Sequence, residues 1–126
     1  MKTISTPHAP QPAGHYSQAV VHDGLVFVAG QLPLDPNAAE KHVGSIEEQT
    51  EQTLKNISEI LKAAGSDLDH VLKTTVYISD ITLWGRVNTV YAKAFGEHRP
   101  ARAVVPVKEL HFGCQIEIEA IAAVKK

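Results

Sequence analysis

Gln115-Ile-Glu-Ile-Glu-Ala-Ile-Ala-Ala-Val124 is the stretch whose reading decides the fold. Its side chains alternate, as in a β-strand with two unlike faces. Ile116, Ile118, Ala120, Ala122 and Val124 point one way and should meet helices. Gln115, Glu117, Glu119, Ile121 and Ala123 point the other way, mixing carboxylates with apolar groups. Just upstream, Ala101 to Val107 reads as another strand. Arg102, Val104 and Pro106 share one of its faces; Ala103, Val105 and Val107 share the other. The connection Lys108 to Gly113 is short enough for a hairpin, which predicts that these two strands are antiparallel neighbours.

Further out, Val71 to Ser79 (VLKTTVYIS) is β-branched and aromatic, a third strand. Thr82 to about Phe95 reads as a helix with the apolar stripe Leu83, Val87, Val90, Tyr91 and Ala94. A longer helix opens at Ser45, where Ser45-Ile-Glu-Glu48 fits a capping box, and stops at Gly65. Ile46, Thr50, Thr53, Leu54, Ile57, Ile60, Leu61 and Ala64 form its inner stripe. Gln18 to His22 and Leu25 to Ala29 are strands joined by Asp23-Gly24, a two-residue hairpin pair. The second is apolar throughout and should be buried on both faces. Lys2 to Ser5 is a short first strand. Residues 6–15, broken by Pro7, Pro10, Pro12 and Gly14, and residues 30–44 read as loops.

The order ββ-α-β-α-ββ, with an extra first strand, predicts a mixed sheet in a single domain, residues 1–126. Two helices cover one face of such a sheet. The strands near the C-terminus are apolar on both faces, so the bare face should associate with other subunits.

The composition sets limits. The chain has 126 residues, 44% hydrophobic and 21% charged, enough to bury one core. Twelve Lys plus Arg stand against fourteen Asp plus Glu, for a net charge of −2, which argues against a nucleic-acid partner. A single cysteine, Cys114, allows no internal disulfide and reads as a bystander thiol. No apolar run reaches the ~18–20 residues that span a bilayer, and no apolar segment of a secretory signal is visible, so a cytoplasmic protein is expected. The seven histidines show no metal-binding spacing, and no nucleotide-binding glycine loop occurs. No metal or cofactor is expected.

Three constellations carry chemistry. If Arg102 pairs across a hairpin near Glu117 or Glu119, all three share a face. On residue types alone this is either a structural ion pair or a carboxylate-binding fork beside a base that activates water. Gly14-His15-Tyr16-Ser17 enters a strand, and Tyr16 is either an interface aromatic or a ligand contact. Ala29-Gly30-Gln31 ends a strand at a glycine, which is either a turn residue or a point of close approach for a ligand. His98 and His111 lie near these segments. Trp84 reads as a packing anchor.

The residues resemble the Rid family (reactive intermediate deaminases, YjgF-type proteins) nearly end to end. The resemblance is carried by Gly14-His-Tyr-Ser-Gln-Ala-Val20, Gly30-Gln31, Gln49 through Asn56, Ala63-Ala-Gly65, Lys73-Thr-Thr-Val76, Val87-Asn88 with Tyr91, Pro100-Ala-Arg102, and Ile116-Glu-Ile-Glu-Ala-Ile-Ala122. It implies a chorismate-mutase-like α+β fold, with about six mixed strands and two helices on one face. It also implies a homotrimer with clefts between subunits. The implied activity is hydrolysis of 2-iminobutanoate and 2-iminopropanoate, or their enamine tautomers, to 2-keto acids and ammonia, without a cofactor. Carried over by position, Arg102 clamps the substrate carboxylate and Glu117 positions the attacking water. Tyr16, Ala29, Gly30 and Val104 line the cleft.

The chain departs from the family pattern at four places. His15 stands where Pro is usual, Ala29 where Ser is usual and Val104 where Cys is frequent. Leu110-His111-Phe112-Gly113 replaces a segment that commonly starts Leu-Pro. Two alternatives stay open: a non-catalytic trimer that binds small carboxylates or regulates, and a related deaminase acting on a larger catabolic substrate.

Overall fold

The computed structural model describes residues 1–126. Eight main elements follow in chain order: β1 (Lys2–Ile4), β2 (Ala19–His22), β3 (Leu25–Gln31), α1 (Ile46–Ala63), β4 (Val71–Ile78), α2 (Trp84–Phe95), β5 (Ala101–Pro106) and β6 (Ile116–Ala123). The strands form one sheet in the order β1-β2-β3-β6-β4-β5. It is mixed, as expected: β4 and β5 run parallel across the α2 crossover, and every other pair is antiparallel.

Local chemistry sets the ends of these elements. Asp23 and Gly24 both take positive φ, 49° and 76°, the geometry of a tight hairpin turn whose twist matches its strands. At the start of α1, the Ser45 side chain accepts from the Glu48 amide while the Glu48 carboxylate accepts from the Ser45 amide. At its end Gly65 is left-handed, and the Ser66 amide donates back to the Leu61 carbonyl, closing the helix.

The core lies between the sheet and the two helices. Val26, Val28, Val76, Ile78, Ile116 and Ile118 meet Leu54, Ile57, Ile60, Leu61, Val87, Tyr91 and Phe95. Ile57 is fully buried there, and Ile57→Ala would cost about 2–5 kcal/mol through the cavity it leaves. The inward set of β6 reads as the alternation requires. On the opposite sheet face Phe27 is 42% exposed, so β3 is buried on one face only. Its apolar outer side belongs to the uncovered face, which no helix reaches. In α2 the inner stripe ends on Phe95; Ala94 is exposed.

The largest correction concerns the C-terminal strands. β5 and β6 do not form a hairpin. β6 inserts between β3 and β4, and β5 is the outer strand beside β4. The physical reason is hydrogen-bond accounting. β3 and β4 run parallel to each other with a one-strand gap, and filling it satisfies two rows of backbone groups at once. A β5–β6 hairpin would leave that gap open. Pro106 at the end of β5 suits an edge, where no amide is demanded of it.

Candidate functional site

Two separate clusters contain the residues picked out from the sequence. The first surrounds Glu117 on the uncovered face. In β3 the register against β6 slips between Val28, opposite Ala120, and Gln31, opposite Ile118. Ala29 and Gly30 therefore form a bulge that interrupts the pairing with β6, while the Ala29 amide still donates to the Gln18 carbonyl and its carbonyl accepts from the Gln31 side chain. Gly30 is needed there for space: a Cβ on it would lie 3.0 Å from the Glu117 carboxyl carbon and 3.1 Å from Oε2. The carboxylate rests on that bare backbone. Burial pushes the Glu117 carboxyl above the usual carboxylate range; the nearby His111 draws it down and Glu119 pushes it up. No cation lies within ion-pair distance of Glu117. Glu119 accepts a 2.7 Å hydrogen bond from the Tyr77 hydroxyl, and that bond raises the phenol's pKa most.

Glu117 faces a cavity of about 570 Å³ lined also by Tyr16, Ala29, Gly30, Leu34, Tyr77, His111, Phe112 and Glu119. Tyr16 is 52% exposed and its hydroxyl accepts from the Ala13 amide. Buried amide side chains hold the walls. Gln18 accepts from the Thr6 amide at 2.7 Å and donates to the carbonyls of Thr6 and Pro10, which pins the first loop. Asn56 in α1 donates to the carbonyls of Leu32 and Leu34, which pins the second. These two roles, of Gln18 and Asn56, escaped the sequence reading. A polar residue on the inner stripe of an amphipathic helix, as Asn56 is, was the available signal.

The second cluster surrounds Arg102 on the helix side of the sheet. Arg102 stands opposite Thr74 in β5, and its guanidinium donates to Asn88 Oδ1 at 2.9 Å. The guanidinium lies 4.8 Å from the Tyr91 ring centre and 5.8 Å from that of Trp84. The Tyr91 hydroxyl is bonded to Thr74 at 2.7 Å, and burial raises its pKa. A cavity of about 480 Å³ opens here, lined by Asn88, Tyr91, His98, Arg99, Pro100 and Arg102 among others. Trp84 is 43% exposed, so it flanks the cation and does not anchor the core. No carboxylate lies within ion-pair distance of Arg102.

Arg102 and Glu117 thus do not share a face in one chain, against the expectation from a hairpin. Arg102 faces the helices with Thr74, while Glu117 pairs with Tyr77 on the uncovered side. Val104 pairs with Val76 and packs on the core, away from the Glu117 cavity. The structure brings together Tyr16, Ala29, Gly30 and Glu117, and leaves Arg102 and Val104 apart. Cys114 is buried, and that burial pushes its thiol up, away from reactivity.

The Glu117 cluster can activate water and lacks a cation. The Arg102 cluster can hold a carboxylate and has none of its own. The family model described as Endoribonuclease L-PSP matches residues 6–124. A RutC family protein of Pyrococcus horikoshii is 48% identical over 121 residues, covering 96% of each chain. The 2-iminobutanoate/2-iminopropanoate deaminase of Rattus norvegicus is 48% identical over 96% of this chain and 88% of its own. Among solved structures, E. coli TdcF with bound serine superposes with a TM-score of 0.93 at 35% identity, covering 99% of this chain and all (100%) of that one. A match of this extent, over a sheet of this strand order, means that the chain belongs to the Endoribonuclease L-PSP family, that of the Rid, YjgF-type proteins.

Proposed function

We propose that this protein is a deaminase that hydrolyses 2-iminobutanoate and 2-iminopropanoate to 2-keto acids and ammonia. It works as a homotrimer whose sites lie between protomers, with Arg102 of one chain facing the Glu117 cavity of the next. The observation that carries this reading is the unmatched pair of clusters. A half-buried carboxylate with no cation and a cation with no carboxylate complete each other only across an interface. The uncovered apolar sheet face, with Phe27 and Val105 outward, offers the contact surface.

The chemistry needs few groups. The protonated imine is already electrophilic at C2. The Arg102 fork grips the substrate carboxylate and sets that carbon beside the water held by Glu117. Glu117 takes a proton as the water oxygen bonds to C2, giving a carbinolamine. Glu117 passes that proton to the amine and takes the hydroxyl proton as the C–N bond breaks, so the carbonyl forms and ammonia leaves, carrying the proton away as ammonium. Water supplies the oxygen, so atoms balance without a further reactant. Tyr16, Ala29 and Gly30 line the cavity around the substrate. Val104, on the same face of β5 as Arg102, would line the Arg102 half of the cleft. The likeness to a relative holding serine supports a small carboxylate as ligand. Two carboxylates at one mouth, Glu117 and Glu119, oppose a phosphodiester chain.

The test generates 2-iminopropanoate in situ with an amino-acid oxidase and follows keto-acid and ammonia release. Wild type should accelerate both. Glu117→Ala should lose the acceleration while still binding pyruvate. A carboxylate-binding regulator would show binding in both proteins and acceleration in neither, which would end the enzymatic reading.

A further inference from the structure

The His111–Gly113 turn carries a feature that imine hydrolysis does not use. Phe112 sits at φ 62°, ψ 22°, the left-handed region that a bulky side chain rarely occupies, and Gly113 follows at φ 73°. Core packing does not hold it there: the ring is 48% exposed and lies outside the hydrophobic core. Its contacts are local. The Lys41 ammonium lies 4.2 Å above the ring centre, and the His111 ring is 5.8 Å away. An unfavourable backbone that presents an aromatic ring away from the core points to a role for the ring itself.

The ring's position shows what that role is. Phe112 lines the Glu117 cavity of about 570 Å³ and also an adjoining one of about 580 Å³. Pro10, Gln11, Ala13, Leu34 and Phe112 are common to both, and no carboxylate is; the Gln11 amide is turned to the carbonyls of Thr6 and Ala9. The cleft is therefore polar at Glu117, Glu119 and Tyr77 and, Gln11 apart, apolar at its boundary with the second space. A substrate with a methyl or ethyl side chain fills only the polar end. A longer apolar side chain would reach the Phe112 wall.

Resting on the deaminase reading above, we infer that Phe112 is a specificity-determining residue that makes this cleft favour 2-imino acids with branched or aromatic apolar side chains over 2-iminopropanoate. The ring contacts the side chain of the substrate, not the reacting atoms. It acts by desolvating that side chain against Leu34 and Pro10, a preference of the size hydrophobic pockets give. Lys41 holds the ring from outside and does not itself receive the substrate.

The experiment compares wild type with Phe112→Ala and Phe112→Gly on imino acids generated from alanine, leucine, phenylalanine and glutamate. Wild type should show kcat/KM for the leucine- or phenylalanine-derived substrate about tenfold above the alanine-derived one. In both variants that ratio should fall to about one. Phe112→Gly should also raise Tm, because glycine relieves the left-handed backbone, so lost discrimination cannot be blamed on unfolding. An unchanged ratio, an equal loss on every substrate, or a preference for the glutamate-derived substrate would overturn the inference. If wild type hydrolyses nothing, the deaminase reading fails, and binding of the keto acids decides this point separately. Stronger thermal stabilisation by 4-methyl-2-oxopentanoate than by pyruvate, lost in Phe112→Ala, would support the apolar wall; equal stabilisation would sink it.

Discussion

The Glu117 cluster and the Arg102 cluster are built by opposite means. Glu117 projects from a central strand onto a strand bulge, half-buried, with its carboxyl range raised by loss of water. Arg102 projects from an edge strand toward a helix, where an amide oxygen and two aromatic rings orient it without neutralising it. The first is tuned in its protonation, the second in its direction. That division of labour suits a site in which one group must handle a proton and the other must aim a substrate. It also separates the two parts by a sheet, so under the proposed function each protomer would supply half of two sites.

The largest effect comes from mixing broken halves. Arg102→Met and Glu117→Gln should each lower imine hydrolysis at least about 10²-fold. When the two inactive proteins are unfolded together and refolded, random assembly should restore roughly a quarter of wild-type activity, since one arrangement in four pairs an intact Arg102 with an intact Glu117. A site contained in one chain would give no recovery at all. The refolded mixture must match wild type in assembled mass for the comparison to count.

Next in size is Glu117→Gln by itself. Loss of the proton acceptor should lower kcat by about 10²–10⁴-fold. In wild type, activity should rise with pH as the carboxyl ionises through its raised folded pKa. Stability runs the other way. A carboxyl whose folded pKa lies above its unfolded value contributes stability below the unfolded value, and that contribution is lost as pH rises through the folded one. Glu117→Gln should therefore melt higher than wild type above the folded pKa, with the gap closing in acid. Thermal melts across pH check the sign, and a variant that melts lower at high pH would place Glu117 among the structural carboxylates.

Much of this was legible before any coordinates. Alternation in 116–123, the Asp23-Gly24 turn and the Ser45 cap are local chemistry, and all three stand as read. Strand order is not local. Nothing in Lys108–Gly113 says whether the chain turns back on β5 or passes across β4, because the decision rests on a gap between β3 and β4 that only the assembled sheet displays. Pro106 was the one hint that β5 is an edge. The partition of faces within each strand was right: Arg102 does go with Val104, and Glu117 with Glu119. What failed was the assumption that two consecutive strands are neighbours. The setting of Arg102 was also written in the sequence, since Trp84, Asn88 and Tyr91 fall at i, i+4 and i+7 on one face of α2.

A smaller effect sharpens the Glu117 side. Gly30→Ala places a methyl group 3.0 Å from the carboxyl carbon. The obstacle is the far end of a flexible side chain, so the carboxylate shifts and the fold survives. Turnover should fall about tenfold, in keeping with the sensitivity of reactions to small displacements of a positioned group. Tm should stay close to wild type. A large drop in Tm with unchanged turnover per folded molecule would mean that Gly30 serves the bulge and not the carboxylate.

The smallest effect tests the Arg102 side in kind. Asn88→Ala removes the 2.9 Å acceptor but leaves the ring faces of Tyr91 and Trp84 in place. The guanidinium keeps its charge and loses its aim. Because the residue is only part-buried, the cost should sit toward the low end of the ~1.5–3 kcal/mol typical of hydrogen bonds to charged groups. KM should rise about tenfold, with kcat within about threefold of wild type. Asn88→Asp separates aim from charge. A carboxylate at that position would capture the guanidinium within the chain and compete with the substrate, so KM should rise further than in Asn88→Ala, and more at low salt than at high. Equal KM in all three proteins would reduce Asn88 to a helix-surface amide and leave the orientation of Arg102 to the rings alone.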